Sequence, residues 1–181
     1  MKKNLFCMLM LLTAAMMFTG CENKKLDLER RASLCGHDIQ LSEMRMCFYS
    51  TENVYFFQCG ASALDDSVMM NTFFGQFDPE LEGKEIDLTK PSDLPFSFGI
   101  NGVYYVDGTD YNGSSISCYS MANSASMGGT DFSSTFESGT MTIIHQDGYY
   151  VIDLEGRLDK GGEFKFHNFV EEGLVDHYDV K

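Results

Sequence analysis

The sequence predicts an all-β domain: an antiparallel β-sandwich or barrel of at least eight short strands, placed after a cleaved N-terminal signal helix. Three observations carry this. Short apolar runs rich in Phe, Tyr, Val and Ile are separated by Gly, Asn, Asp and Pro, the spacing of strands and turns. Two segments near the C-terminus read as hairpins whose apolar faces coincide. Beyond residue 18 there is no long amphipathic stretch of helical period.

The elements follow in order. Met1-Lys2-Lys3-Asn4 is a short basic start, and Leu5–Phe18 is an apolar run of 14 residues broken only by Thr13. A membrane-spanning helix needs about 20 residues, so the run reads as a secretory signal. Phe18-Thr19-Gly20-Cys21 resembles the bacterial lipobox, with Phe where Leu is usual. The resemblance implies cleavage between Gly20 and Cys21, a diacylglyceryl group on the Cys21 thiol and a further acyl chain on its new amine. Each buried methylene contributes roughly 0.8 kcal/mol, and two or more chains make the attachment to membrane lipid stable. Residues 1–20 are thus a signal peptide, 21–30 a polar lipidated tether, and 31–181 a single domain.

Removing residues 1–20 from 181 leaves 161, and losing Lys2 and Lys3 moves the net charge from −14 to −16. So acidic a chain repels phosphate backbones and excludes nucleic acid as a partner. Cys35, Cys47, Cys59 and Cys118 allow two disulfides in an oxidising envelope, in any of three pairings. Buried thiols are the alternative. With no CxxC and no paired His, the spacing is not that of a zinc site, and no metal or other cofactor is expected. Trp is absent, which weakens sugar stacking as a mechanism, although Tyr stacks as well.

Met44–Tyr49 and Val54–Cys59 flank a turn-like Ser50–Asn53 and read as a hairpin. Met69–Phe77 is a strand ended by Asp78-Pro79, with a helical turn at 79–81, and Ile86–Leu88 is a short strand. Phe96–Ile100 and Val103–Val106 pair around Asn101-Gly102. Residues 107–138 read as long loops with one strand, Ile116–Tyr119. Asp147-Gly148 suits a two-residue type I′ turn, which sets His145 opposite Tyr150, Ile143 opposite Ile152 and Met141 opposite Leu154. A three-residue loop at Lys160-Gly161-Gly162 would put Phe164 opposite Leu158 and Phe166 over Gly156. Leu174–Val180 closes the sheet as an edge strand.

The lipobox, the acidic single domain and the stretch Gly139-Thr-Met-Thr-Ile…Gly148-Tyr-Tyr-Val-Ile-Asp-Leu…Gly-Gly-Glu-Phe-Lys-Phe are similar to small uncharacterised lipoproteins of the Bacteroidota. The similarity covers the signal and about the last 40 residues. It implies a lipid anchor in the cell envelope at the outer membrane, and it supplies no activity. Surface lipoproteins of that phylum often carry acidic residues just after the lipid cysteine, whereas Glu22-Asn23-Lys24-Lys25 does not match, so periplasmic and surface faces both stay open.

For chemistry, Asp107, Asp110, Tyr111 and Asn112 form a turn with oxygen ligands and are a candidate ligand loop. It fails as an EF-hand, because counting Asn112-Gly113 as positions five and six puts Tyr119 at the twelfth. His37, His145, His167 and His177 are the imidazoles available as acids, bases or ligands. Asp176-His177-Tyr178-Asp179 is a polar cluster on a terminal segment. Asp65-Asp66 and Glu171-Glu172 point to opposite faces if they lie on strands. No Gly-x-Ser-x-Gly or His-Glu-x-x-His occurs, and no catalytic residue is assigned. The expectation is a non-catalytic binding or structural module that contacts a glycan, a peptide or an outer-membrane protein through loops at 107–135. The alternatives are an envelope hydrolase assembled around His145 or His167 and a surface-assembly subunit that uses strand addition.

Overall fold

A computed structural model describes residues 25–63, 72–101, 105–106, 109–110, 116–121 and 131–179. The signal segment, Gly20 and Cys21 lie outside the described residues. The fold is all-β. Its strands are β1 (Arg31–Leu34), β2 (His37–Leu41), β3 (Arg45–Tyr49), β4 (Val54–Ala63), β5 (Thr72–Phe77), β6 (Glu85–Asp87), β7 (Phe96–Asn101), β8 (Tyr105–Val106), β9 (Thr109–Asp110), β10 (Ile116–Met121), β11 (Asp131–Ser134), β12 (Phe136–Gln146), β13 (Tyr149–Leu158), β14 (Glu163–Glu171) and β15 (Asp176–Tyr178). A short 3₁₀ turn forms at Pro79–Leu81, where Asp78 accepts a hydrogen bond from the Glu80 amide.

The strands run β11-β10-β7-β5-β4-β2-β1-β14-β13-β12-β6 in one curled sheet, with β3 on β4 and β15 on β3. Strand β4 is the hinge. Its first part pairs with β3 and β5, and its last residues pair with β2. The sheet therefore folds onto itself as two layers. Layer one holds β6, β12, β13, β14, β1 and β2; layer two holds β15, β3, β5, β7, β10 and β11.

Strand alternation fills the space between the layers. Phe73 of β5 and Phe98 of β7 meet Phe164 and Phe166 of β14, with ring centroids 5.0–5.7 Å apart. All four rings are buried. Each contributes roughly 1.5–3 kcal/mol through burial, so the aromatic runs of the sequence are the joint between the layers.

Several expectations hold residue for residue. The β3–β4 hairpin pairs Tyr49 with Val54. The β12–β13 hairpin sets His145 opposite Tyr150, Ile143 opposite Ile152 and Met141 opposite Leu154. Asp147 and Gly148 both have positive φ, 53° and 79°, as a type I′ turn requires.

Others are corrected. The β13–β14 loop does contain three residues, but they are Asp159-Lys160-Gly161. Arg157 pairs with Glu163, Phe164 with Gly156, and Phe166 with Leu154. The left-handed residue of such a loop is its third, after a type I turn. Gly161 takes that place with φ 93°, and its amide donates to the Leu158 carbonyl at 2.8 Å. The register moved by two residues, so every side chain kept its face. Gly156 is covered by the Phe136 ring from β12, which a Cβ there would approach to 2.7 Å.

Strand β7 does not pair with Tyr105–Val106, and Val103 and Tyr104 of the expected partner strand lie outside the described residues. Its partners are β5 and β10, and Tyr105–Val106 pairs instead with β9. Both edges of β7 are occupied because that is how Phe96, Phe98 and Ile100 become buried, and this long-range gain overrides the local Asn101-Gly102 signal. The stretch 107–138 likewise contains β9, β10, β11 and the start of β12. Finally, the tail does form an edge strand, but β15 runs parallel to β3, so the sheet is mixed and not wholly antiparallel. The turn at Glu172–Leu174 and the buried Val175 carry the chain across to that edge.

Cys35, Cys47, Cys59 and Cys118 carry thiols, not the disulfides allowed by the sequence. Cys47 pairs with Phe56, three residues along β4 from Cys59. That is roughly 10 Å at about 3.3 Å per residue, beyond the ~7 Å that a disulfide spans. Cys118 is separated from β4 by β7 and β5. Cys59 and Cys118 are buried, and burial pushes each thiol up to about 11. The Cys118 thiol donates to the Leu88 carbonyl at 3.0 Å.

Candidate functional site

The two layers have opposite outer faces. On layer one, outward side chains alternate with the buried Ala32, Leu34, Leu154, Phe164 and Phe166. They form two cross-strand rows, Ser33–Lys165–Glu155–Thr140 and Arg31–His167–Asp153–Thr142. Opposite charges meet in both rows, the favourable arrangement for cross-strand pairs. A shallow pocket of about 350 Å³ opens there, lined by Arg31, Ser33, Asp38, Glu155 and Lys165 around His167.

The segment before β1 lies on this face. Asp27 pairs with Arg31 at 2.7 Å, and its carbonyl sits 3.2 Å from His167 Nε2. The Arg30 guanidinium lies 4.2 Å over the Phe169 ring and 4.0 Å from Glu43. Residues 27–30, read from the sequence as the end of a polar lipidated tether, and Arg31, the first residue of the expected domain, are docked. Because the Asp27 carbonyl can only accept, Nε2 must carry the His167 proton in that bond. Nδ1 then faces Asp153 Oδ1 at 3.5 Å and makes no hydrogen bond, although the ring is buried. The Asp153 carboxylate, followed by the Asp27 carbonyl bond, holds the His167 pKa above its ordinary value, against the opposing effects of burial and Arg31.

On layer two the outward positions are aromatic. Tyr178 of β15 stacks on Tyr49 of β3 at 5.2 Å and 20°. Tyr49 meets the edge of Phe56 on β4 at 5.3 Å. Phe56 is opposite Gln76, and Phe74 is opposite Gln58, so the two Phe rings are diagonal neighbours. Phe74 lies down across β7: a Cβ at Gly99 would come within 2.7 Å of its ring tip. Phe56, Phe74 and Tyr178 are 41%, 40% and 48% exposed. The result is a band, Tyr178–Tyr49–Phe56–Phe74, with Gln58 and Ser97 beside it. Its charged neighbours are at the rim, Arg45 on β3 and Asp176 on β15. The signal for it was in the sequence. Tyr55-Phe56-Phe57 and Phe73-Phe74 put rings on both faces of a strand, so part of each run must point outward.

The other candidates are dispersed. Asp110 lies in β9 opposite Tyr105, while Asp107, Tyr111, Asn112 and Asp65-Asp66 lie outside the described residues. His145 stacks on Tyr150 at 4.1 Å and 6°, between Glu82 at 3.7 Å and Glu172 at 3.3 Å. Burial holds the Glu82 carboxyl above its usual range. His37 opens β2 opposite Leu34, and His177 meets Phe48 edge-on at the β15 margin. Glu171 ends β14 and Glu172 begins the turn that follows. Among the described residues, no group of three His, Cys, Asp or Glu could hold a metal ion, and no helix is long and apolar enough to cross a membrane. No known protein family, curated protein or solved structure matches the chain.

Proposed function

We propose that the protein is a lipid-anchored, non-catalytic binding module of a bacterial cell envelope that captures an uncharged glycan on the aromatic face of layer two. One observation carries the reading: a band of four aromatic rings, three of them exposed and Tyr49 half-buried between them, without a charge at its centre, on a chain of net charge −14. Exposed rings on a soluble domain favour association, so a cluster of them marks a contact surface. The Phe74 ring laid across β7 can accept the C–H face of a sugar, the other rings offer apolar edges and faces beside it, and Gln58 and Ser97 supply polar atoms for hydroxyls. An uncharged ligand matches an uncharged band, whereas an acidic one would be repelled by the surrounding field.

The anchor half of the reading rests on the signal, on the lipobox-like Phe18–Cys21 and on the acidic β domain that follows. The hydrolase alternative needs a nucleophile beside His145 or His167. The groups in contact with the two rings are rings, carboxylates, a guanidinium and a carbonyl, and Ser33, which lines the same pocket, is opposite Lys165, two residues along β14 from His167.

Affinity electrophoresis through gels containing neutral polysaccharides tests the binding half. Retardation by at least one polysaccharide is expected. Phe56→Ala combined with Phe74→Ala should weaken it about fivefold to a hundredfold, at roughly 0.5–1.5 kcal/mol per stacked ring. No retardation across the panel, or retardation indifferent to the double substitution, contradicts the proposal.

A further inference from the structure

We propose that β15, with the turn before it, is a detachable flap that completes the aromatic site: Tyr178 joins the band only while the strand is docked on β3, and ligand and docked strand stabilise each other. This rests on the reading of the band as a glycan surface.

The flap is weakly held. β15 has one neighbouring strand, and its three residues pair in parallel with Cys47, Phe48 and Tyr49. Parallel pairing is the less stable kind per residue. All three residues are exposed. The other ties are the Tyr178–Tyr49 stack, the edge of His177 on Phe48, and the Tyr178 carbonyl, which accepts from the Ser50 amide at 3.2 Å and from its hydroxyl at 3.3 Å. From Gly173 to Tyr178 the one buried side chain is Val175.

The hinge is visible beside it. The Glu172 amide donates to the Gly148 carbonyl at 2.8 Å, and its carboxylate lies 3.3 Å from His145, so the chain is fixed up to that point. Beyond it a Cβ on Gly173 would meet nothing within 4 Å, and Leu174 is 67% exposed. Segments with few buried contacts are the ones that open locally while the rest of a fold stays closed. Strand β14 is the contrast, with neighbours on both sides and Phe164 and Phe166 in the core.

Opening would leave the remaining rings in place. β3 is paired along its whole length with β4 and buries Met46, so Tyr49, Phe56 and Phe74 keep their supports without β15. The site therefore has a three-ring and a four-ring state. A ligand that touches Tyr178 binds the four-ring state more tightly by one ring's share, roughly two- to tenfold. By linkage it favours docking of β15 by the same factor.

Hydrogen exchange of the full chain reads the flap directly. Without ligand, amides of 176–178 should exchange about a hundredfold or more faster than those of β14. Saturating oligosaccharide from the polysaccharide that retards the protein should slow them roughly two- to tenfold. Tyr178→Ala should weaken retardation by a similar factor. Val175→Asn, which loosens the strand but keeps the ring, should do the same. Asp176→Cys added to Val175→Asn should restore retardation under oxidising conditions, and a reductant should undo the rescue. The new thiol would face Cys47 across about 4.8 Å of strand spacing, within the span of a disulfide.

Flap amides as slow as those of β14 overturn the inference. So do flap amides indifferent to a ligand whose binding needs Phe56 and Phe74, or retardation unmoved by both Tyr178→Ala and Val175→Asn. In those cases the glycan surface stands and the flap falls. No retardation by any polysaccharide removes the surface and the flap together.

Discussion

The two outer faces of one curled sheet are built on the same inward pattern and differ outward. Layer one turns out Arg31, Asp153, Glu155, Lys165 and His167; the middle of layer two turns out Phe56, Gln58, Phe74 and Ser97. Inside, both layers contribute Phe rings to one core. Folding therefore has no need of the exposed rings, since burial is already supplied by Phe73, Phe98, Phe164 and Phe166. Paired charges keep a face soluble. Uncovered rings carry a risk of association, and the proposed ligand is what gives them a use. The comparison separates what holds the domain together from what it presents.

The largest break in the comparison should come from Gly99→Val. Its side chain would occupy the place of the Phe74 ring tip, forcing the ring off β7. Because Phe74 is exposed, its ring can swing into solvent, so denaturant melts should move by only about 0.5 kcal/mol while polysaccharide retardation falls. On the charged face, Lys165→Ala should leave retardation unchanged.

A smaller effect should appear on the charged face alone. The pKa of His167 is raised, chiefly by Asp153. Its stabilising charge is therefore fully present below the ordinary histidine value and is lost as pH rises through the raised folded value. The groups that face the ring are Asp153 from β13, Asp27 from the segment before β1 and Arg31 from β1. Melting temperatures of the native chain and His167→Gln should differ most in mild acid, while Asp153 and Asp27 remain ionised, and should converge at alkaline pH. A gap that widens with pH contradicts the charge assignment.

The sequence was most legible where a local rule controlled pairing. Asp147-Gly148 admits one turn type, and that turn dictated the whole β12–β13 register. The next loop was legible in length but not in position, because Lys160-Gly161-Gly162 offers two glycines and only Gly161 takes the left-handed place. Strand β7 was misread because its partners are distant in sequence. Asn101-Gly102 is a strong local signal, but a pairing that buries Phe96, Phe98 and Ile100 on both sides outweighs it. The aromatic face was not read from the sequence: Met69–Phe77 was recognised as a strand, but the alternation that sends Phe73 inward and Phe74 outward was not followed through. The segment before β1 looked like a polar tether because what docks it, His167, lies 140 residues from Asp27.

The account turns on the aromatic face as the surface that meets the ligand, and the absence of Trp makes that claim directly measurable. Phe56→Trp and Glu155→Trp place a single indole on either face. Each would be titrated with soluble neutral oligosaccharides made from the polysaccharide that retards the protein. A saturable change in emission from position 56, with position 155 silent, is the predicted result. A response from position 155 alone, or equal responses from both, would contradict it.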